Sequence, residues 1–235
     1  MPSVRPETTQ LTGAVTSIPK PSTATPADLL LAFVTSESST FGVTLTGGTP
    51  EWQPLASKST VNGSGESTKG IISSGIWWKP AGVGETGWTL EAPSQYLAVA
   101  VIAVTDAQVD APLFTVSADQ TASTVFTTVT SPAGPPPGIG DLELRWVAGD
   151  DYTSSAERSW TAPGSTIEVC DLTDRYVTAQ LTRQTLTSAT SAVRNHTVGA
   201  AGLYAAHGFT LRIPAPGSGR AVPMSSAAVH RAATW

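Results

Sequence analysis

The chain has 235 residues with charged residues at only 13%, a net charge of −5 and a pI near 5.1; a soluble domain ordinarily carries about 25% charged residues. Ser and Thr fill roughly a quarter of the positions, and with 7 Trp, 21 Gly and 18 Pro this is the composition of pleated sheet, which excludes a helical bundle and a disordered chain. The acidic balance offers no basic stripe to nucleic acid, the single cysteine, Cys170, excludes an intrachain disulfide, and the longest apolar run, residues 97–104, is too short for a bilayer helix.

Residues 1–6 lack the apolar stretch of a signal peptide, so no classical leader is expected. Residues 14–19 then read as a strand ending in a Pro turn, and residues 29–34 as a strand apolar on both faces, which belongs in a centre or under a neighbour. Turns follow at residues 46–50 and 80–84, on either side of the Trp77-Trp78 strand. A short strand around Trp88 and a doubly apolar strand at 98–104 close the first half. In the second half, residues 127–132 repeat the strand and Pro turn, and residues 142–146 alternate so that Leu142, Leu144 and Trp146 share one face while Glu143 and Arg145 share a wet one. The Thr-rich segment 179–192 lacks the apolar stripe of a helix. After Ile213 the chain turns to Pro, Gly and Ala, a linker and arm whose Val229, His230 and Trp235 are candidate assembly contacts.

Pro19, Asp28, Leu29, Leu31, Val34 and Pro50 recur at one constant spacing as Pro132, Asp141, Leu142, Leu144, Val147 and Pro163. Two copies are too few for a solenoid. The expected fold is therefore all-β: an antiparallel β-sandwich, jelly-roll-like, built from two pseudo-repeated halves (about 10–112 and 123–214) closing one core. Residues 1–214 form a single domain in this reading, and 215–235 a linker with an extended C-terminal arm.

Chemical signals are sparse. No Gly-x-Ser-x-Gly elbow occurs, and His207 reads as a hydrogen-bonded structural histidine, with His196 and His230 the only others. Cys170, at an alternating position, reads as a small core residue. Asp150, Asp151, Asp171 and Asp174, near the loops of the second half, could gather a hard cation through oxygen ligands, and solvated loop acids are the plainer reading. Glu85 and Glu91 bracket Trp88, but nothing positions them as the acid and base of a glycosidase. Asn62 and Asn195 open N-x-S/T sequons. Neither a catalytic residue, a cofactor nor a metal site is expected. Trp52, Trp77, Trp78, Trp88 and Trp160 are candidate stacking platforms for a sugar if they face solvent.

The series Pro26-Ala-Asp-Leu-Leu-Leu-Ala32, Thr49-Pro-Glu-Trp-Gln-Pro-Leu55, Ile76-Trp-Trp-Lys-Pro-Ala-Gly82 and Trp88-Thr-Leu90 resembles a β-sandwich domain of tail and other virion proteins of actinobacterial phages. Its members run GDLLLA, a PPGWT turn and a Trp-Lys strand, and then repeat the scheme. Gln108-Val-Asp110, Gly140-Asp-Leu-Glu-Leu144 and Trp160-Thr-Ala-Pro-Gly164 fit the later steps, so the likeness spans about residues 5–214. It departs at Ala27 and Glu51, where the family tends to have Gly, and this bears on turn geometry. The resemblance implies a non-enzymatic virion structural protein, a minor tail protein, assembled in the host cytoplasm with other virion subunits as a homo-oligomer and contacting a host surface glycan. The alternatives are a head (capsid) decoration protein and, from another class, a carbohydrate-binding adhesion module. Neither nucleic acid nor membrane is an expected partner.

Overall fold

The computed structural model describes residues 1–38, 42–61, 70–92, 94, 96–107, 114–134, 138–150, 159–188, 190–199 and 203–216. Among them every regular element is a strand. The first unit contains β1 (Ser3–Val4), β2 (Thr9–Thr12), β3 (Ser17–Pro19), β4 (Leu29–Ser36), β5 (Thr44–Thr46), β6 (Gln53–Val61), β7 (Ile71–Pro80), β8 (Gly87–Glu91) and β9 (Leu97–Thr105). The second contains β10 (Phe114–Phe126), β11 (Thr128–Ser131), β12 (Leu142–Asp150), β13 (Trp160–Thr161), β14 (Ile167–Thr173), β15 (Val177–Thr185), β16 (Arg194–Val198) and β17 (Leu203–Ile213).

Each unit is a large sheet backed by a small one. The first large sheet runs β1-β9-β4-β7-β6, with β2 also on β9, and its small sheet runs β3-β8-β5. The second runs β10-β17-β12-β15-β14, backed by β11-β16-β13. From β2 to β9, and again from β10 to β17, the chain visits large, small, large, small, large, large, small and large sheet in turn, an antiparallel jelly-roll-like path. Leu29 and Leu142 occupy the same place in it: Leu29 pairs with Pro80 and Val104, Leu142 with Thr185 and Ile213.

The large sheets stack face to face, with β14 against β2 and β9, β10 against β6, and β17 against β7. The molecule thus has four layers, small, large, large and small. The period of two along a strand then explains the doubly apolar segments. On β4, Leu29, Leu31 and Phe33 enter the central core while Leu30, Ala32 and Val34 enter the outer core of the first unit. On β9, Ala98, Ala100, Ile102 and Val104 point inward to the centre, and Leu97, Val99, Val101 and Ala103 outward to the small sheet. Neither strand needs a neighbouring chain to cover it. The expectation of a single core is also replaced: one central core lies between the large sheets, and each unit keeps an outer core against its small sheet.

Across the centre, Phe33 meets Trp146 at 5.6 Å between ring centroids, and the Trp146 indole N–H donates to Thr35 Oγ1 at 3.0 Å. Turns at the far end are fixed by equivalent aspartates. Asp28 accepts the Thr25 N–H and Asp141 the Gly138 N–H, each at 2.6 Å, a side-chain turn that prepares entry into β4 and β12. Both are buried and ion-paired, Asp28 with Arg5 and Asp141 with Arg212. Burial opposes the Asp28 carboxylate, but the Arg5 guanidinium and the Thr25 donors outweigh it and hold its pKa below the usual value. Asp141 also accepts the Ala215 N–H at 2.9 Å, so the sandwich holds the chain one residue past the boundary expected at 214. Val229, His230 and Trp235 lie outside the described residues.

Candidate functional site

The tryptophans singled out as stacking platforms are mostly core residues. Trp52, Trp77 and Trp88 sit in the outer core of the first unit at 6%, 5% and 3% exposure, and Trp160 is 5% exposed in that of the second. Trp160 donates its indole N–H to Thr178 Oγ1 at 2.7 Å. Trp78 alone is half-buried, packed against the central core. Rings whose faces are covered by aliphatic neighbours cannot stack on a sugar, so the carbohydrate-binding reading loses the feature it rested on.

What these rings enclose is a cation. Lys79 faces the outer core beside Leu30 and is fully buried, its ammonium paired with Glu85 and lying 5.7 Å from the Trp52 ring and 5.6 Å from the Trp88 ring. The two rings meet edge to face at 5.0 Å. Glu85 accepts the N–H groups of Thr49 and Gly82 at 2.9 Å each. Burial pushes against its ionised form, yet Lys79 and these donors keep its pKa below the ordinary carboxylate value. Glu85 is therefore a structural counter-ion, while Glu91 is exposed on β8; the two are not an acid and base pair.

In the second unit the corresponding layer is polar. Glu143 and Arg145, expected on a wet face, are each 1% exposed, because Ser131 of the small sheet and the segment carrying Ser191 and Ala192 lie over that face of β12. Arg145 donates to Glu143 Oε1 through Nε (2.8 Å) and Nη2 (2.6 Å), to Ser131 Oγ (2.8 Å), and to the carbonyls of Ser131, Pro132 and Ala192. Glu143 also accepts from Gln184 Nε2 at 2.7 Å and from the Ser191 hydroxyl. Desolvation lowers the Arg145 pKa from its ordinary value against the pull of Glu143. Glu168 accepts the Gln180 amide N–H at 2.7 Å, which leaves Gln180 Oε1 facing His196 Nδ1 at 2.8 Å. His196 Nδ1 is thus the donor and Nε2 receives the Ser131 hydroxyl at 3.1 Å. Burial, with Arg145 nearby, pushes the His196 pKa down to about 3, so this imidazole is neutral and holds β16 to β15.

A second polar group lies between the large sheets at the end where β4 and β12 finish. His207 Nδ1 bonds Ser74 Oγ at 2.9 Å, its Nε2 bonds Thr60 Oγ1 at 2.8 Å, and Ser74 meets Thr35 at 2.9 Å. Beside them Asp150, fully buried, accepts the N–H groups of Gly70 and Ile71 on one oxygen, the latter at 3.2 Å. Its other oxygen is buried and has no hydrogen-bond partner among the described residues. Burial, reinforced by Glu37, pushes the Asp150 pKa up to about 7. Tyr96 and Tyr176 close this end edge to face at 4.5 Å.

The remaining candidates separate. Cys170 is buried, and burial pushes its thiol up to about 12, the behaviour of an inert core thiol. Asp171 accepts the Trp160 N–H at 2.7 Å; burial, with Glu168, raises its pKa to about 6. Asp174 lies in the turn before β15, and Asp151 falls outside the described residues, as does Asn62. Among the described residues no three His, Cys, Asp or Glu side chains gather around one point. Asn195 is exposed on β16, its amide oxygen accepting from Thr130 at 3.1 Å. Sequence reasoning missed both the Lys79 pair and the Arg145 network. The signal for the first was a lone lysine in an apolar strand; for the second, paired opposite charges two residues apart on β12.

Fold and site together define an all-β, four-layer sandwich of two jelly-roll-like units whose buried polar groups tie layer to layer. No helix among the described residues is long and apolar enough to cross a membrane. Comparison with protein-family models, curated proteins and solved structures gave no match.

Proposed function

We propose that this chain is a non-enzymatic structural protein of a phage virion, a minor tail protein that assembles with copies of itself and with other virion subunits and contacts the host surface. The observation that carries this reading is where the reactive side chains are. Lys79, Glu85, Glu143, Arg145, His196, His207 and Cys170 are each buried at their functional atoms and engaged in packing or bonds within the fold. The resemblance of the strand and turn motifs to those of actinobacterial phage virion domains supplies the biological setting. The low charge adds to it, since charged groups must be paired or desolvated when an interface closes. Quantitative mass spectrometry of purified particles tests the proposal: the chain should be present at a fixed multiple per particle, and its absence from washed particles would overturn it. Decoration of the head is a second reading, favoured by the jelly-roll-like path, which recurs in viral capsid domains. Labelled chain located by electron microscopy on the head rather than the tail would select it.

A further inference from the structure

Among the described residues the large sheets share no backbone ladder; side chains join the units across their common face, and one of these is a buried carboxyl group. Asp150 ends β12 in the second unit. The N–H groups it accepts belong to Gly70 and Ile71, where β7 of the first unit begins. An ionised carboxylate offers about four acceptor positions; here one oxygen receives both donors and the other receives none from the described residues.

Burial outweighs the two backbone N–H groups, which favour the ionised form, and the rest of the surroundings give that form little help. From the end of β4, Glu37 contributes a like charge, and Glu37 is itself raised by burial and by Asp174. From β17, His207 lies on the same face, but both its nitrogens are taken by Ser74 and Thr60. Lys58 on β6 pairs with Ser74 at the rim of the first large sheet, is half-buried and has an interaction of its own. A buried carboxylate with an unpartnered oxygen and an acidic neighbour is stabilised by taking up a proton.

We propose that Asp150 is a proton-operated joint between the two units: protonated, it seats the start of β7 on the end of β12, and its ionisation loosens that contact. The sign follows from linkage. The native value of about 7 lies above the ordinary aspartate value of 3.8, so between these values the folded chain holds a proton that the unfolded chain has lost. The contribution of Asp150 is complete below about pH 4, falls as pH rises toward 7 and is constant above it. The separation corresponds to at most about a thousandfold in the folding equilibrium.

The experiment is urea unfolding of the full chain between pH 4 and 9 for wild type, Asp150→Asn and Glu37→Gln, with amide hydrogen exchange at Gly70 and Ile71 in the wild type. The stability of wild type relative to Asp150→Asn should fall between pH 4 and 7 and then level off. Glu37→Gln should move the levelling to lower pH, and exchange at the two amides, corrected for intrinsic rate, should accelerate between pH 4 and 7 and level off above it. Parallel pH curves for wild type and Asp150→Asn would overturn the proposal. So would restoration of wild-type stability at pH 8 by millimolar calcium with no effect on Asp150→Asn, because the occupant would then be a cation. If Asp150→Asn does not fold, pH-independent protection of Gly70 and Ile71 in the wild type overturns it.

Discussion

Lys79 and Glu85 are six residues apart in the chain, yet their contact depends on the turn that carries Glu85 back over Gly48 and Gly82. A buried pair of this kind is costly to break and much cheaper to replace whole. Lys79→Met should lose about 3–5 kcal/mol in urea unfolding, because Glu85 keeps its backbone donors but loses its counter-ion. The double variant Lys79→Met, Glu85→Gln should recover a large part of that loss. Equal losses in the two variants would mean that the pair is not coupled. A lysine between Trp78 and Pro80 is visible in the sequence; its partner is not, since a turn's path is set by backbone conformations that residue type only biases. Glu143 and Arg145 teach a related point. Alternation along 142–146 assigned the two faces correctly, but it reports polarity, and a polar face becomes a buried one when Ser131, Gln184 and Ser191 arrive from elsewhere to satisfy it.

At the scale of elements, the close seating of β17 against β11 depends on Gly208. A Cβ there would strike the Thr130 carbonyl oxygen and come within 3.0 Å of the Ser131 Cα. Both are backbone atoms of the facing strand, which cannot swing aside as a side chain can. Gly208→Ala should therefore destabilise by about 1–3 kcal/mol, whereas Gly164→Ala, with open space around the added methyl, should leave the thermal midpoint nearly unchanged. Differential scanning calorimetry of the two variants checks both expectations. The doubly apolar pattern of β4 and β9 was readable from residue order, and so was the demand that both faces be covered. What covers them was not, because a strand's own sequence cannot distinguish an internal layer from a neighbouring chain.

Over the whole molecule, Phe33 from one unit and Trp146 from the other are packed into a single central core, so neither large sheet can melt without exposing the inner face of its partner. Unfolding followed by tryptophan fluorescence and by far-ultraviolet circular dichroism should give coincident transitions. Phe33→Ala, at a cost of about 3–5 kcal/mol, should move both signals together; a variant that splits them would show the units to be energetically independent. The equally spaced identities place corresponding strands in the sequence, and the two sheets do run in the same order. Their face-to-face stacking rests on side chains from distant segments, Trp146 reaching Thr35 and His207 reaching Ser74 and Thr60, which no local pattern encodes. Because no hydrogen-bonded ladder crosses that joint among the described residues, the central layer has the physical character of an association between two molecules carried out within one chain. Tethering replaces a bimolecular encounter by a local one, at an effective concentration that is on the order of millimolar when the connection is short. The joint can accordingly hold at subunit concentrations where two separate halves of the same intrinsic affinity would drift apart.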